Sequence, residues 1–303
     1  MPSSGRKIRA ARVSIFTAFS LALLKFIAGL FTGSMAILSS GVDSLLDILM
    51  SGVNYLAIRQ AVKPADESHP FGHGKFETVA TLVQAMVIAG SGVWIIFESI
   101  DRLLTGTHLS NLGGGTAVLF LSSAVSWGLC RYLRKEADAT DSSALRADSL
   151  HFSMDVYTNI VLGAGLLAVR YLDAPWLDPL LSVGVALYII KEALQLVRFA
   201  MQDVLDENLP EPVRQEIDQV IHQHLDQKHV IEYHDLRTRR AGSQKIISFH
   251  LIVCRHLSVE EGHLIADRLE KAIENTIRGS DVTIHVEPCD EPGCQSFNEC
   301  RYP

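Results

Sequence analysis

Asp43 and Asp47 stand four residues apart in the stretch Ser39-Ser-Gly-Val-Asp43-Ser-Leu-Leu-Asp47-Ile-Leu-Met-Ser51. His151 and Asp155 repeat that interval in Leu150-His-Phe-Ser-Met-Asp155-Val. On a helix each pair shares one face, one turn apart. Both pairs lie inside long apolar stretches, where a carboxylate is costly unless it meets water, a partner or a cation. If the two helices face each other, three carboxylates and one imidazole converge. That donor set completes a tetrahedral site for a zinc-like divalent ion. The competing reading puts each polar group at a membrane boundary or against a helix neighbour.

Two further clusters carry ligand chemistry. The segment Pro64-Ala-Asp66-Glu-Ser-His69-Pro-Phe-Gly-His73-Gly-Lys75 offers one oxygen and two nitrogen donors from Asp66, His69 and His73. It binds zinc at an exposed site, or it is a solvated loop with incidental histidines. Near the C-terminus, strand alternation sets Ile247, Phe249, Leu251 and Val253 on one face and His250 on the other. The same alternation sets His285 and Glu287 against Val282, Ile284 and Val286. With His234 and His263, this makes a second metal site, an interface, or a hydrophilic sheet face. Ile246 and Ile252 share the His250 face, which fits a dimer contact. Cys289, Cys294 and Cys300 lack the two-residue spacing of a metal-binding cysteine pair and read as reduced thiols on a tail.

Elements that can hold these groups follow from hydropathy. Six apolar segments, near 13–32, 34–59, 78–104, 114–133, 145–172 and 176–200, each reach the roughly 20 residues that a spanning helix needs. Lys25 interrupts the first and is expected to snorkel or to bond inside the bundle. Residues 1–12 are basic, and basic residues recur at Arg59, Lys63 and Lys75 and again at Arg131, Arg134, Lys135 and Arg146. They alternate with basic-poor connections, so the positive-inside rule puts both termini in the cytoplasm. The first apolar stretch does not read as a cleavable signal peptide. From Asp206 the composition turns polar and acidic. A helix over 211–227, strands over 231–239 and 245–254, a helix over 258–277 and a strand over 281–287 are expected. Ser258 and Glu261 are spaced as a capping box. The expected domains are therefore a basic N-terminus (1–12), a six-helix transmembrane domain (13–205), an αββαβ domain (206–290) and a cysteine-containing tail (291–303). The chain is 48% hydrophobic, which suits a membrane part joined to a soluble part, and its net charge of −7 argues against a nucleic-acid partner.

These motifs resemble the cation diffusion facilitator family, in its bacterial zinc and ferrous-iron efflux branch. The resemblance runs from about Arg12 to Cys289. It is carried by Gly33-Ser-Met-Ala-Ile-Leu-Ser-Ser-Gly-Val-Asp-Ser-Leu-Leu-Asp47, by the Pro64–Lys75 segment, and by Arg146-Ala-Asp-Ser-Leu-His-Phe-Ser-Met-Asp155. His234-Asp-Leu-Arg-Thr-Arg239 and Ile284-His-Val-Glu-Pro-Cys289 complete it. It implies six transmembrane helices with a cytoplasmic ferredoxin-like α+β domain, a homodimer in the inner membrane, and export of divalent metal against inward protons. By resemblance Asp43, Asp47, His151 and Asp155 form the transport site and Asp66, His69 and His73 a loop site. His234, His250, His263, His285 and Glu287 would form a binuclear cytoplasmic site. Glu287 departs from the aspartate usual at its position. Lys75 and Asp206 match a charge interlock. Zinc is the expected substrate and also a structural or regulatory ligand, with no prosthetic group. Ferrous iron, cadmium and manganese are the alternative cargoes. A membrane metalloenzyme is the rival class, but the chain has no HExxH helix. A non-transporting metal sensor is a second rival, although an anchor does not require paired ligands on two spans.

Overall fold

The computed structural model describes residues 2–32, 35–105, 116–172, 176–225 and 229–290. The chain divides into two compact units, Met1–Met201 and Gln202–Pro303. Six helices build the first: α1 (Pro2–Thr32), α2 (Met35–Ala61), α3 (Lys75–Thr105), α4 (Thr116–Thr140), α5 (Ser143–Leu172) and α6 (Leu177–Val204). Each apolar segment expected from the sequence is a helix. With 25 residues in α4 and 31 in α1, they span about 38 to 46 Å at the α-helical rise, more than a bilayer's hydrocarbon core. Among the described residues, Ser4–Phe31, Lys75–Thr105 and Pro179–Val204 are long and apolar enough to cross a membrane. Of the other three, α2 and α5 carry the candidate ligands, and α4 runs into Arg131, Arg134, Lys135 and Glu136.

The bundle is apolar outside, and its interior mixes small and polar side chains with apolar clusters. Phe16, Trp94, Phe97 and Phe120 point outward and are exposed, whereas Ala10, Ala11, Ala18, Ser14 and Ser51 are buried. That distribution fits a hydrocarbon solvent, in which close helix contact relies on small residues and interhelical hydrogen bonds. Ile58, Leu129, Leu133, Leu145 and Phe152 join α1, α2, α4 and α5 in one apolar cluster. Ile88, Met154 and Ile189 join α3, α5 and α6 in another. At Gly92 the contact is tight enough to need glycine, because a Cβ there would lie 2.7 Å from Ile190 Cγ1 on α6.

The second unit contains α7 (Glu211–Leu225), β1 (Val230–Ala241), β2 (Gln244–Val253), α8 (Val259–Thr276) and β3 (Ser280–Pro288). The order is the expected αββαβ. The sheet order is β1-β2-β3, antiparallel between β1 and β2 and parallel between β2 and β3. Ile247, Phe249, Leu251 and Val253 are buried and share a core with Ile217 and Ile221 of α7 and Ile265, Leu269 and Ile273 of α8. Both helices therefore cover one face and leave the His250 face uncovered by them. Ile246 and Ile252 on that face are half-buried. The capping box is present: Glu261 N donates to Ser258 Oγ at 3.2 Å, and Ser258 N donates to Glu261 Oε2 at 2.8 Å. Cys289 does not belong to a tail. It is buried beside Cys254, and its amide donates to the Val253 carbonyl at 2.9 Å, continuing the β2–β3 pairing. Cys294 and Cys300 lie outside the described residues.

Candidate metal centres

Helices α2 and α5 meet through His151 Nε2 and Asp47 Oδ1, 2.9 Å apart, and through Ser51 Oγ, which donates to Asp148 Oδ1 at 3.5 Å. His151 is buried and Asp47 half-buried. Asp155 lies one turn further along α5, half-buried, and interacts electrostatically with His151. Asp43 lies one turn before Asp47 on α2; its side chain is outside the described residues. A nitrogen and carboxylate oxygens thus approach one another from two helices, the donor chemistry of a zinc-type site. Lys25 bonds inside the bundle rather than snorkelling: Nζ donates to Ser44 Oγ at 2.8 Å.

A buried polar cluster sits one turn away, at the end of the bundle where α5 begins, and the sequence reading did not single it out. Ser14 Oγ donates to Asp148 Oδ2 at 2.5 Å and lies 3.1 Å from Ser51 Oγ. Asn54 Nδ2 donates to Gln84 Oε1 at 2.5 Å. The signal was available: Asp148, His151 and Asp155 fall at i, i+3 and i+7, one face of α5.

The connection between α2 and α3 forms the second centre. Ligand atoms of Asp66, His69 and His73 all lie within 4.8 Å of one another. Asp66 organises the turn by accepting from Ser68 Oγ at 2.8 Å and from the His69 amide at 2.7 Å. Those two donors hold its carboxyl at about 2, well below the ordinary carboxylate value. Positive φ at Gly72 (78°) lets the chain reverse and bring His73 back. The Pro64 carbonyl can only accept, so His73 Nδ1 is the donor in their 3.2 Å contact. His73 Nε2, 3.3 Å from Asp66 Oδ2, is then left with its lone pair available. A backbone carbonyl that fixes the tautomer in this way is a common outer partner of a metal-binding histidine.

The third centre follows from strand register. His234 pairs with His250, and His250 pairs with His285, so three imidazoles stand side by side across the sheet. Their ring centroids are 5.0 and 4.9 Å apart. A β-bulge follows His234: two residues of β1 separate His234 from Arg237, opposite one of β2, and Asp235 has positive φ. The bulge turns Asp235 toward the histidines, 3.9 Å from His250 Nε2. Arg237 holds that carboxyl below its usual range through a side-chain hydrogen bond. Glu287 touches all three rings: Oε1 lies 2.8 Å from His250 Nδ1 and 3.7 Å from His285 Nε2, and Oε2 lies 3.6 Å from His234 Nε2. His234, His250 and Glu287 form the tight ligand group. His263 is exposed on α8 and lines the cleft between that helix and β3 rather than joining that group. Asp206 accepts from Arg239 at 3.2 Å within the same unit.

Comparison with known proteins agrees with this layout. Residues 11–205 match the cation efflux transmembrane domain, and residues 209–289 match the cation efflux protein cytoplasmic domain. The cation-efflux pump FieF of Salmonella arizonae is 38% identical over 283 residues, covering 93% of this chain and 92% of the relative. FieF of Citrobacter koseri shows the same identity and coverage. Among solved structures, the Zn form of the transporter CzrB is 40% identical over 27% of this chain and 92% of its own, with a TM-score of 0.26. The metal-bound C-terminal domain of the Thermotoga maritima transporter CzcD is 26% identical over 28% of this chain and 99% of its own, with a TM-score of 0.25. Two family domains that together take in nearly all of the chain, and relatives alike from end to end, make this protein a membrane-embedded cation efflux transporter of the cation diffusion facilitator family.

Proposed function

We propose that the chain exports zinc from the cytoplasm across the inner membrane in exchange for protons, as a homodimer with both termini cytoplasmic. The observation that carries this reading is the 2.9 Å His151–Asp47 contact between α2 and α5, with Asp155 one turn away. Histidine beside carboxylates suits zinc better than an all-oxygen set would. The same groups bind either protons or metal, because ligation requires a neutral imidazole and ionised carboxylates. Metal captured from the cytoplasm expels protons. When the bundle rearranges and the site faces outward, protons return and expel the metal. His151 is the switch, since its ordinary titration range lies near neutrality. His234, His250 and Glu287 would also hold zinc in the C-terminal unit, as a structural or regulatory ligand.

The test is zinc entry into proteoliposomes loaded with a zinc-sensitive dye, with and without a pH gradient. Wild type shows gradient-stimulated entry, and Asp155→Ala and His151→Ala abolish it. Folded wild-type protein that moves ferrous iron or manganese but not zinc overturns the choice of cargo; movement of none overturns transport.

A further inference from the structure

Leading to the first centre, the bundle interior holds a file of buried polar side chains. On α3, Glu77, Thr81 and Gln84 recur at i, i+4 and i+7; on α2, Asp47, Ser51 and Asn54 do the same. All except Asp47 are at most 2% exposed. Asn54 and Gln84 join the two rows. Ser14 joins α1 to α5 through Asp148. Seven residues of helix make about 10 Å, so the file runs about 20 Å from Glu77 to Asp47.

Its far end is closed by an ion pair. Lys7 Nζ donates to Glu77 Oε1 at 2.6 Å, with side chains only 4% and 1% exposed. Ser142 Oγ donates to the other oxygen, Glu77 Oε2, at 2.6 Å. The same hydroxyl accepts from the Leu145 amide at 3.4 Å at the start of α5. One carboxylate therefore gathers α1, α3 and the start of α5. Midway along the file, Asn54 and Gln84 both reach the Asp148 carboxylate. An interior that only held helices together would gain nothing by burying an ion pair that apolar residues could replace without loss. Amide side chains beside buried carboxylates suit a path that a cation follows.

We propose that this file is the closed cytoplasmic route of the ion to the transport site, and that the Lys7 ammonium on Glu77 is its plug, a tethered cation that the arriving divalent ion displaces. The proposal rests on the transport reading above. Glu77 is the first carboxylate the ion meets and Asp148 the next before His151. Ser142 couples release of Glu77 to the start of the helix that carries His151 and Asp155. Opening is then an exchange of one cation for another on the same carboxylate.

The experiment introduces Thr81→Cys into the full-length protein and measures its labelling by a cationic methanethiosulfonate, read at that peptide by mass spectrometry. Thr81 is fully buried behind the ion pair. Labelling is slow with Lys7 present and rises about tenfold or more in Lys7→Met, which leaves the Glu77 charge unpaired. The exchanged pair Lys7→Glu with Glu77→Lys returns it to the slow rate. A Ser99→Cys reporter, buried further along α3, does not change. Unchanged labelling at Thr81→Cys in Lys7→Met overturns the plug. So does an equal rise at Ser99→Cys, which would mean a loosened bundle. Labelling needs no metal flux, so a failure here is separate from a failure of the zinc-entry assay.

Discussion

Removing the His250 ring should erase the metal dependence of the C-terminal unit, and the size of the effect can be worked out. His250 is the middle of the three imidazoles and makes the shortest contact to Glu287, 2.8 Å. At free zinc about 100 times its dissociation constant, binding stabilises the folded unit by about 2.7 kcal/mol. If the β2 amides exchange by unfolding of the unit, that is a slowing of about 100-fold. Loss of even an outer-shell partner costs about 10- to 100-fold in metal affinity, and a direct ligand costs more. In His250→Ala the same zinc concentration is then at or below the new dissociation constant, the gain is at most about 0.4 kcal/mol, and exchange slows no more than about twofold. The assay is hydrogen exchange with mass spectrometry on the full-length protein, following the peptide that spans Gln244–Val253 with zinc and with a chelator. The 62–75 peptide is the internal control: its own zinc response, from Asp66, His69 and His73, persists in the variant. Equal slowing of β2 in His250→Ala and wild type would refute the assignment of this centre. A wild-type β2 that ignores zinc would refute it as well.

Four further outcomes follow from individual contacts. Asp66 should titrate near 2 in a carbon-detected NMR experiment. Because its folded value is depressed, its contribution to the turn is present above the ordinary 3.8 and is lost as pH falls through about 2. A midpoint for Asp66 near 4 would contradict this. Ser258→Ala should destabilise the C-terminal unit by about 1 kcal/mol and speed exchange of the Glu261 amide, which loses its acceptor. Gly92→Val should lower the melting temperature in detergent through overpacking of about 1–3 kcal/mol against Ile190, with Ile190→Ala restoring part of it. A neutral Gly92→Val would mean that α3 and α6 do not approach so closely. Glu287→Asp shortens the carboxylate that touches three rings, so β2 protection at saturating zinc should survive at a raised half-saturation concentration; complete loss would show that the longer arm is indispensable.

Periodicity made much of this legible and left the rest hidden for identifiable reasons. Strand alternation placed His250 and Glu287 opposite Phe249 and Val286, and the register then set His234, His250 and His285 in one row. The bulge after His234 was not legible, because it depends on an unpaired residue at positive φ and not on hydropathy. Asp235 therefore went unnoticed as a neighbour of His250. Cys289 was misjudged because its spacing to Cys294 and Cys300 suggested a tail. Its amide instead extends the β2–β3 ladder, which brings it into the core beside Cys254. The i, i+4 pairs located Asp47 and His151, yet the same rule applied only to pairs passed over Asp148, which faces Ser14 on a different helix.

The interior of the bundle shows why such residues are hard to rank from sequence. In a water-soluble protein a buried Glu77 or Asp148 would stand out in an apolar core. Here many large apolar side chains face outward and the interior mixes apolar clusters with alanine, serine and threonine, so a lone carboxylate in the sequence looks like a helix end. Only the contacts separate the roles. Among the described residues, Lys25 settles on a serine hydroxyl, a neutral partner. Lys7 settles on a carboxylate, and that carboxylate is also held by Ser142 at the start of the helix that carries His151. A lysine held by a hydroxyl can stay put while a metal passes. A lysine that neutralises the first acid on the path cannot, because the arriving ion needs that acid. The two lysines should therefore separate in one comparison: Lys25→Met changes the stability of the bundle and leaves Thr81→Cys closed, whereas Lys7→Met opens it.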